Sequence, residues 1–508
     1  MTAIDRLPAP TRRQALAGTA AALGTAALSR RAEAAGGTLT VGAAVFPDSL
    51  MPGSSSFAAE SLLKQTNDPL FARDNKGDLL PALALEAVQV DDVTTRITMR
   101  PGVKFHDGTP FTAEDAAYTI NYVLDVKNAY GVMARISNIA SATATDPATL
   151  EIKSKAAFPT LLKGLSFILI QPKHYLEKVG IKGVQAKPMG TGPFVFGRWT
   201  AGDRYELTAN KAYWGGAPKV DRLVIREIPD PGTRIASLVA GETQIIEEVP
   251  VDLIGQVEAS GNAKMDEIVS TAALVLTYDV RSAPFNDPRV RLAFDYAVDK
   301  PAIRKEMLKG RGELLHGQLL TESTFGFNPA LSARPFDPDK ARTLLKEAGY
   351  NFATPIPIVT QSGKYVSDVD TGNAVAGMLG NIGIKASVEV VEGGVFLQRQ
   401  AAFRMGPIHM IGWYSLGDAD FANVWYTKAG RRTTWVNDEY ERLFVEGRST
   451  IDKDARLKAY MRMAEILHEE NPSMFLFGLP SLYGVNRTVA GFGAASDKCL
   501  RLATTSVG

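Results

Sequence analysis

Along the chain, short runs of alternating hydrophobic and polar residues exchange with longer stretches whose apolar residues recur every three or four positions. TLTVGA (Thr38–Ala43), TTRITMR (Thr94–Arg100), RYELTAN (Arg204–Asn210) and KVDRLVIREI (Lys219–Ile228) predict strands. SATATDPATLEIK (Ser141–Lys153) predicts two more around the turn Asp146-Pro147. Three helices have legible starts. Asn286 or Asp287 caps one whose first residue is Pro288 and whose apolar stripe is Val290, Phe294, Ala297 and Val298. Asp337 and Pro338 repeat the device, and Gly349 closes that helix. Asn437 caps the third. Strands and helices mix throughout without internal repeat, which predicts an α/β or α+β protein. A chain of 508 residues exceeds one ordinary core, so two or three domains are expected.

The segment RPGVKFHDGTPFTAEDAAYTI (Arg100–Ile120) sets a histidine beside an aspartate. A catalytic dyad needs a nucleophile to activate or a metal with further ligands, and the neighbouring sequence supplies neither. Each residue also has a local structural role. The strand ends at Arg100, Asp107-Gly108 turns the chain, and Thr112 with Asp115 forms a capping-box pattern ahead of a helix. The structural reading is therefore preferred.

Composition excludes more than it selects. Lys and Arg (56) nearly balance Asp and Glu (55), which gives no electrostatic reason to expect nucleic acid or a membrane surface as partner. Cys499 stands alone and forms no internal disulfide or cysteine zinc site. The N-terminus reads as an export signal over residues 1–34: Arg12-Arg13, an apolar run Ala15–Leu28 too short to span a bilayer, then Ala32-Glu33-Ala34. It resembles a twin-arginine (Tat) signal, so a mature protein in the periplasm is expected.

The sequence carries no recognisable catalytic motif. The five histidines are scattered, with no H-E-x-x-H, no G-x-S-x-G elbow and no phosphate loop. GMLGNIG (Gly377–Gly383) fits helix packing and a turn better than a dinucleotide fingerprint. MGTGPF (Met189–Phe194) reads as a crossing between domains. The most site-like stretch is GWYSLGDADFANVW (Gly412–Trp425). Its Trp413 and Tyr414 can wall a pocket, and Asp418 and Asp420 can hold a cationic or hydroxylated ligand. The same two aspartates carry the alternative reading, an exported hydrolase.

An ordered set of segments resembles the extracytoplasmic solute-binding proteins of ABC importers, in the dipeptide-, oligopeptide- and nickel-binding family 5. They are RPGVKFHDGTPFTAED, MGTGPFVFGRW, NKAYWGGAPKVDRLVIREI, LVAGETQII, PFNDPRVRLAFDYAVDKPAI, DPDKARTLLKEAGY, GWYSLGDAD and AYMRMAEILHEENPSMFLFGLPSLYGVN. The resemblance covers nearly all of the mature chain. It implies a periplasmic-binding-protein-like two-lobed clamp of type II with an extra inserted domain. Domain I would take residues 38–56, 187–269 and 472–508; domain II, 57–186; domain III, 270–471. It implies a monomer without cofactor or metal and without enzymatic activity. Such a protein captures a small solute and delivers it to the transmembrane permease, and only through it to the ATPase.

For the ligand, the resemblance puts small peptides first, followed by amino-acid conjugates, opines, sugars and metal chelates. Peptide binders of the family carry an aspartate shortly after the Gly-Trp pair, where it meets the peptide α-amino group. Here Leu416 holds that position, and an apolar residue cannot pair with an ammonium, so Asp418 is the candidate replacement. Further wall candidates are strand-end residues: Tyr278 and Asp279 after ALVLTYD, Gln361 and Tyr365 after PIPIVTQ, and Glu248 after TQII.

Overall fold

A computed structural model of the chain describes residues 36–508 apart from Ser55, Ala129, Arg431 and Arg432. The expected signal, 1–34, lies outside the described residues. The predicted strands fall close to their expected bounds, at Thr38–Ala43, Thr94–Met99, Ile139–Asp146, Thr149–Ser154, Arg204–Ala209 and Arg222–Glu227. The caps hold as well. Asp287 accepts from Arg289 N–H ahead of the helix Pro288–Tyr296, and Asp337 and Asn437 cap the other two.

Most strands join one mixed sheet. Across it lie Lys385–Val390, Pro355–Thr360, Ile408–Tyr414, Ala263–Tyr278, Ser473–Asn486, Ile245–Ile246, Thr38–Ala43, Arg222–Glu227, Arg204–Ala209 and Phe194–Thr200. Ala263–Tyr278 and Ser473–Asn486 form a long antiparallel ribbon at its centre. Its register slips between Val269 and Ala273 and again between Leu274 and Val275. Such irregularities bend and twist a strand locally. They also separate bodies. Before the slip the ribbon packs with the core of Leu39, Val41, Leu223 and Ile225. Beyond it, alternate residues face two other cores, one around Phe294, Ile358 and Leu476, the other around Tyr440, Tyr460 and Phe475.

A further body is a four-stranded antiparallel sheet, ordered Ala84–Asp91, Thr94–Met99, Thr149–Ser154, Ile139–Asp146, with the helix Ala113–Leu124 packed on it. The Arg100–Ile120 segment leads from the inner strand Thr94–Met99 into that helix. Asp115 reaches back to the Thr112 N–H at 3.0 Å. His106 bonds the Gly192 carbonyl at 3.0 Å, and Asp107 pairs with His174 rather than with its neighbour. The Gly190–Gly192 turn is a backbone crossing. A Cβ on Gly192 would stand 2.5 Å from the Thr66 carbonyl carbon and 2.7 Å from the Asn67 nitrogen.

The small body also receives side chains from afar. Leu416 and Phe421 sit in its core, and Lys163 Nζ donates to the Gly417 carbonyl at 2.7 Å. The loop after Ile408–Tyr414 thus joins this body to the large sheet.

Candidate ligand-binding site

The strand Ile408–Tyr414 runs into this junction, and the Gly-Trp pair has a local reason there. A Cβ on Gly412 would lie 2.5 Å from Cε1 of Tyr365, so only glycine lets that ring settle on the strand. Tyr414, the next outward residue, meets Phe57 with ring centroids 4.8 Å apart. Phe57 opens the helix Phe57–Leu63, so this contact joins different bodies. Lys498 completes the group from the C-terminal segment. Its ammonium pairs with Glu248 at 2.8 Å, and Tyr414 and Tyr365 both stand within its electrostatic reach. Burial acts to lower the Lys498 pKa, but the adjacent Glu248 holds it above the usual lysine range. Burial pushes the Tyr365 phenol up.

Three residues here hold backbone conformations that L side chains seldom adopt: Glu248 (φ 52°), Lys498 (φ 59°) and Leu416 (φ 52°). Such strain persists only where surrounding packing imposes it, and it concentrates at functional sites. Beside Glu248, Glu247 is pushed up to about 8, first by burial and then by the Glu248 charge.

Of the nine residues singled out from sequence, the fold thus gathers Tyr365, Tyr414 and Glu248. The other six have different surroundings. Trp413 points to the opposite side of its strand and stacks on Trp425, centroids 5.1 Å apart. Asp418 is 5% exposed, accepts from Arg456 Nη2 at 3.1 and 3.2 Å, and caps the helix Ala419–Asn423. Asp420 pairs with Arg448 at 3.3 Å, and burial pushes it up to about 6. Tyr278 is a core residue stacked on Phe285. Asp279 is held by Arg281, and Gln361 faces Gly393. Asp418 and Asp420 therefore already have arginine partners, and both are buried. Leu416 is 6% exposed against the small body's core and presents only methyl groups there.

Sequence reasoning missed Lys498 and the charged cluster beside it. Asp497, the preceding residue, accepts from Arg73 Nε at 3.0 Å and from Arg501 at 2.8 and 2.9 Å. Arg73 also pairs with Glu60, which Lys64 holds at 2.8 Å. Burial would raise the Glu60 carboxyl, but Arg73, Lys64 and Arg135 keep it below the usual range. Asp497 is likewise held low against burial by Lys64, Arg73 and Arg501. The one available signal was the charge density of DKCLR (Asp497–Arg501) in a segment otherwise poor in charge.

Among the described residues, no group of three or more His, Cys, Asp or Glu is arranged to hold a metal ion, and no helix is long and apolar enough to cross a membrane.

Comparison with known proteins agrees with this architecture. The model of the family described as bacterial extracellular solute-binding proteins, family 5 Middle, matches residues 78–432. The glutathione-binding protein GsiB of Escherichia coli (strain K12) is 27% identical over 461 residues, covering 86% of this chain and 88% of that protein. Among solved structures, the periplasmic binding protein DppA of Helicobacter pylori in complex with the peptide STSA superposes with a TM-score of 0.82 at 22% identity, covering 94% of this chain and 99% of the other. NikZ of Campylobacter jejuni in complex with Ni(L-His) gives 0.81 at 23%, covering 90% and 96%. The fold is that of the two-lobed periplasmic binding proteins. The chain belongs to the bacterial extracellular solute-binding proteins of family 5, and it is a solute-binding component of an ABC importer rather than an enzyme.

Proposed function

We propose that the solute captured by this importer component is a short peptide or a peptide-like compound, held where Tyr365, Tyr414, Glu248 and Lys498 meet. The observation that carries the reading is that convergence: two tyrosines from one side of the ribbon face a carboxylate–ammonium pair from the other. The tyrosine rings offer apolar walls with polar tips. Glu248, with its side chain 40% exposed, is the carboxylate open to a ligand ammonium, a role that Leu416 cannot serve. The relatives named for glutathione and for a bound peptide support the same class.

The reading includes a division of the chain at Val269/Ser270, where the ribbon register slips, with residues 57–186 as the inserted domain. Ligand would favour the closed arrangement of the lobes, and the closed surface would be what the permease recognises. Export by the Tat route, residence in the periplasm and action as a monomer complete it. The test is native mass spectrometry of the protein from residue 36 with a tripeptide pool and with reduced glutathione. Tyr365→Ala and Tyr414→Ala should each weaken the preferred compound tenfold or more. Unchanged affinity in both variants would refute the site, and retention of a non-peptide compound alone would refute the ligand class.

A further inference from the structure

The loop that follows Ile408–Tyr414 is fixed at its base and inserted at its tip. At the base, the Ser415 N–H donates to the Thr271 carbonyl at 3.0 Å, and the Ser415 hydroxyl meets that of Thr324 at 2.8 Å. Phe325 bridges to Asp418 as one isolated strand pair, and Arg456 holds the Asp418 carboxylate. Thr271, Thr324, Phe325 and Arg456 all lie between residues 270 and 471, as the loop does. At the tip the partners change. Leu416 and Phe421 belong to the core of the small body, and Leu416 to neither core of its own. Phe421 meets Phe167 with ring centroids 6.3 Å apart. Lys163 Nζ donates to the Gly417 carbonyl at 2.7 Å, its one hydrogen-bond acceptor among the described residues. Burial lowers the Lys163 pKa, while Asp418 from the loop and Asp78 from the small body oppose it.

The backbone aims the tip. Leu416 (φ 52°) and Gly417 (φ 80°) are two left-handed residues in succession. That conformation is unfavourable for a leucine and persists only where packing imposes it. Here it carries the Leu416 side chain out of its own body and into the other. Tyr414 on Phe57 adds a ring contact beside it, with centroids 4.8 Å apart. In the division proposed above, residues 57–186 belong with the first lobe and 270–471 form the second, so each of these contacts crosses between lobes. All of them are made directly by side chains and backbone of this chain, and none passes through a solute.

We propose that Leu416, supported by Phe421 and Lys163, is an interlobe latch that holds the clamp closed by itself and thereby sets the affinity for the captured solute. The latch rests on the proposed division of the chain and not on the class of solute. Affinity for a ligand of the closed state is scaled by the fraction of protein already closed, so a contact that favours closure strengthens binding without touching the ligand. Truncating a buried leucine to alanine withdraws most of its apolar surface from the contact, which shifts closure toward the open state by roughly 30-fold.

The test measures distances between spin labels by pulsed electron resonance in the protein from residue 36. Val88→Cys and Val445→Cys place labels at exposed positions of the small body and of the helix Asp438–Ser449, and Val239→Cys with Val445→Cys reads closure from the first lobe. Cys499 is buried and stays unlabelled. Each protein is freed of bound compounds by unfolding and refolding, then measured alone and with a tripeptide pool. The expected result is one short distance with Leu416 in place, with or without the pool. Leu416→Ala should give a long distance that shortens only with the pool, and Leu416→Met should restore the short one. Affinity for the pool should fall in Leu416→Ala by the same factor as its closed fraction. A long distance with Leu416 in place that shortens on adding the pool would overturn the latch, and so would a short distance unchanged in Leu416→Ala. If Leu416→Ala fails to fold, Leu416→Asn, which tolerates the left-handed backbone, is judged by the same criterion. A Val88–Val445 distance fixed in every protein while Val239–Val445 changes would overturn the division and the latch with it. No response to the pool in any protein, with Leu416→Ala still open, would overturn the peptide reading and uphold the latch.

Discussion

Replacing Asp418 by Asn separates a structural carboxylate from a ligand-binding one. The side chain keeps its shape and can still cap the helix Ala419–Asn423, so the change isolates the charge. What it leaves behind is Arg456, 7% exposed, with its Nε on the Gly447 carbonyl and its guanidinium against Phe325 and Tyr460. Two charges about 4 Å apart attract by about 4 kcal/mol at an effective dielectric of about 20. Removing one partner of a buried pair generally costs about 3–5 kcal/mol, because the other stays desolvated. The expected loss in Asp418→Asn is therefore about 3 kcal/mol, read as a lower urea midpoint with an unchanged slope. The double variant Asp418→Asn/Arg456→Met removes the stranded charge and should recover about 2 kcal/mol of it. Affinity for the best-bound tripeptide should stay within about twofold throughout. Wild-type stability combined with a tenfold weaker affinity in Asp418→Asn would refute the reasoning, since the carboxylate would then face ligand.

Other perturbations probe the frame. Gly192→Ala drives a Cβ onto the Thr66–Asn67 backbone, which has no flexible end to yield, and should cost about 2 kcal/mol or more in urea unfolding. Gly255→Ala, in the helix Ile254–Ala259 with open space around it, should instead gain about 0.5–1 kcal/mol. His409 is 6% exposed, its Nε2 has no partner among the described residues, and burial lowers its pKa to about 4 with Asp279 opposing. Its folded-state pKa lies below the unfolded value of about 6.5, so its contribution is whole above pH ~6.5 and drains as pH falls toward 4. Urea unfolding at pH 6.5 and 4.5 should show a smaller difference in His409→Gln than in wild type, and an equal difference would contradict the assignment.

Local structure was legible in the sequence because local rules govern it. Asp287-Pro288, Asp337-Pro338 and Asn437 each carry their own start signal, and Thr112 and Asp115 meet as their spacing requires. Strand alternation placed Thr38–Ala43 to the residue. The site was only partly legible because its parts come from distant segments. Glu248 and Lys498 are 250 residues apart, and no periodicity links them. Asp418 misled for a physical reason. A carboxylate beside aromatics looks alike whether it faces a ligand or an arginine 38 residues away. In sequence Gly412 is legible only as part of the Gly-Trp pair, whereas its reason is steric and depends on where Tyr365 falls.

The central claim is that a peptide-like solute lies against Tyr365, Tyr414, Glu248 and Lys498. Native mass spectrometry of the purified protein from residue 36, with release and identification of any co-purified compound, tests it most directly when the Tyr365→Ala/Tyr414→Ala double variant is run in parallel. The account predicts short peptides or peptide-like carboxylates released from wild type and a depleted yield from the folded double variant. The same compounds at the same occupancy in both proteins would contradict it.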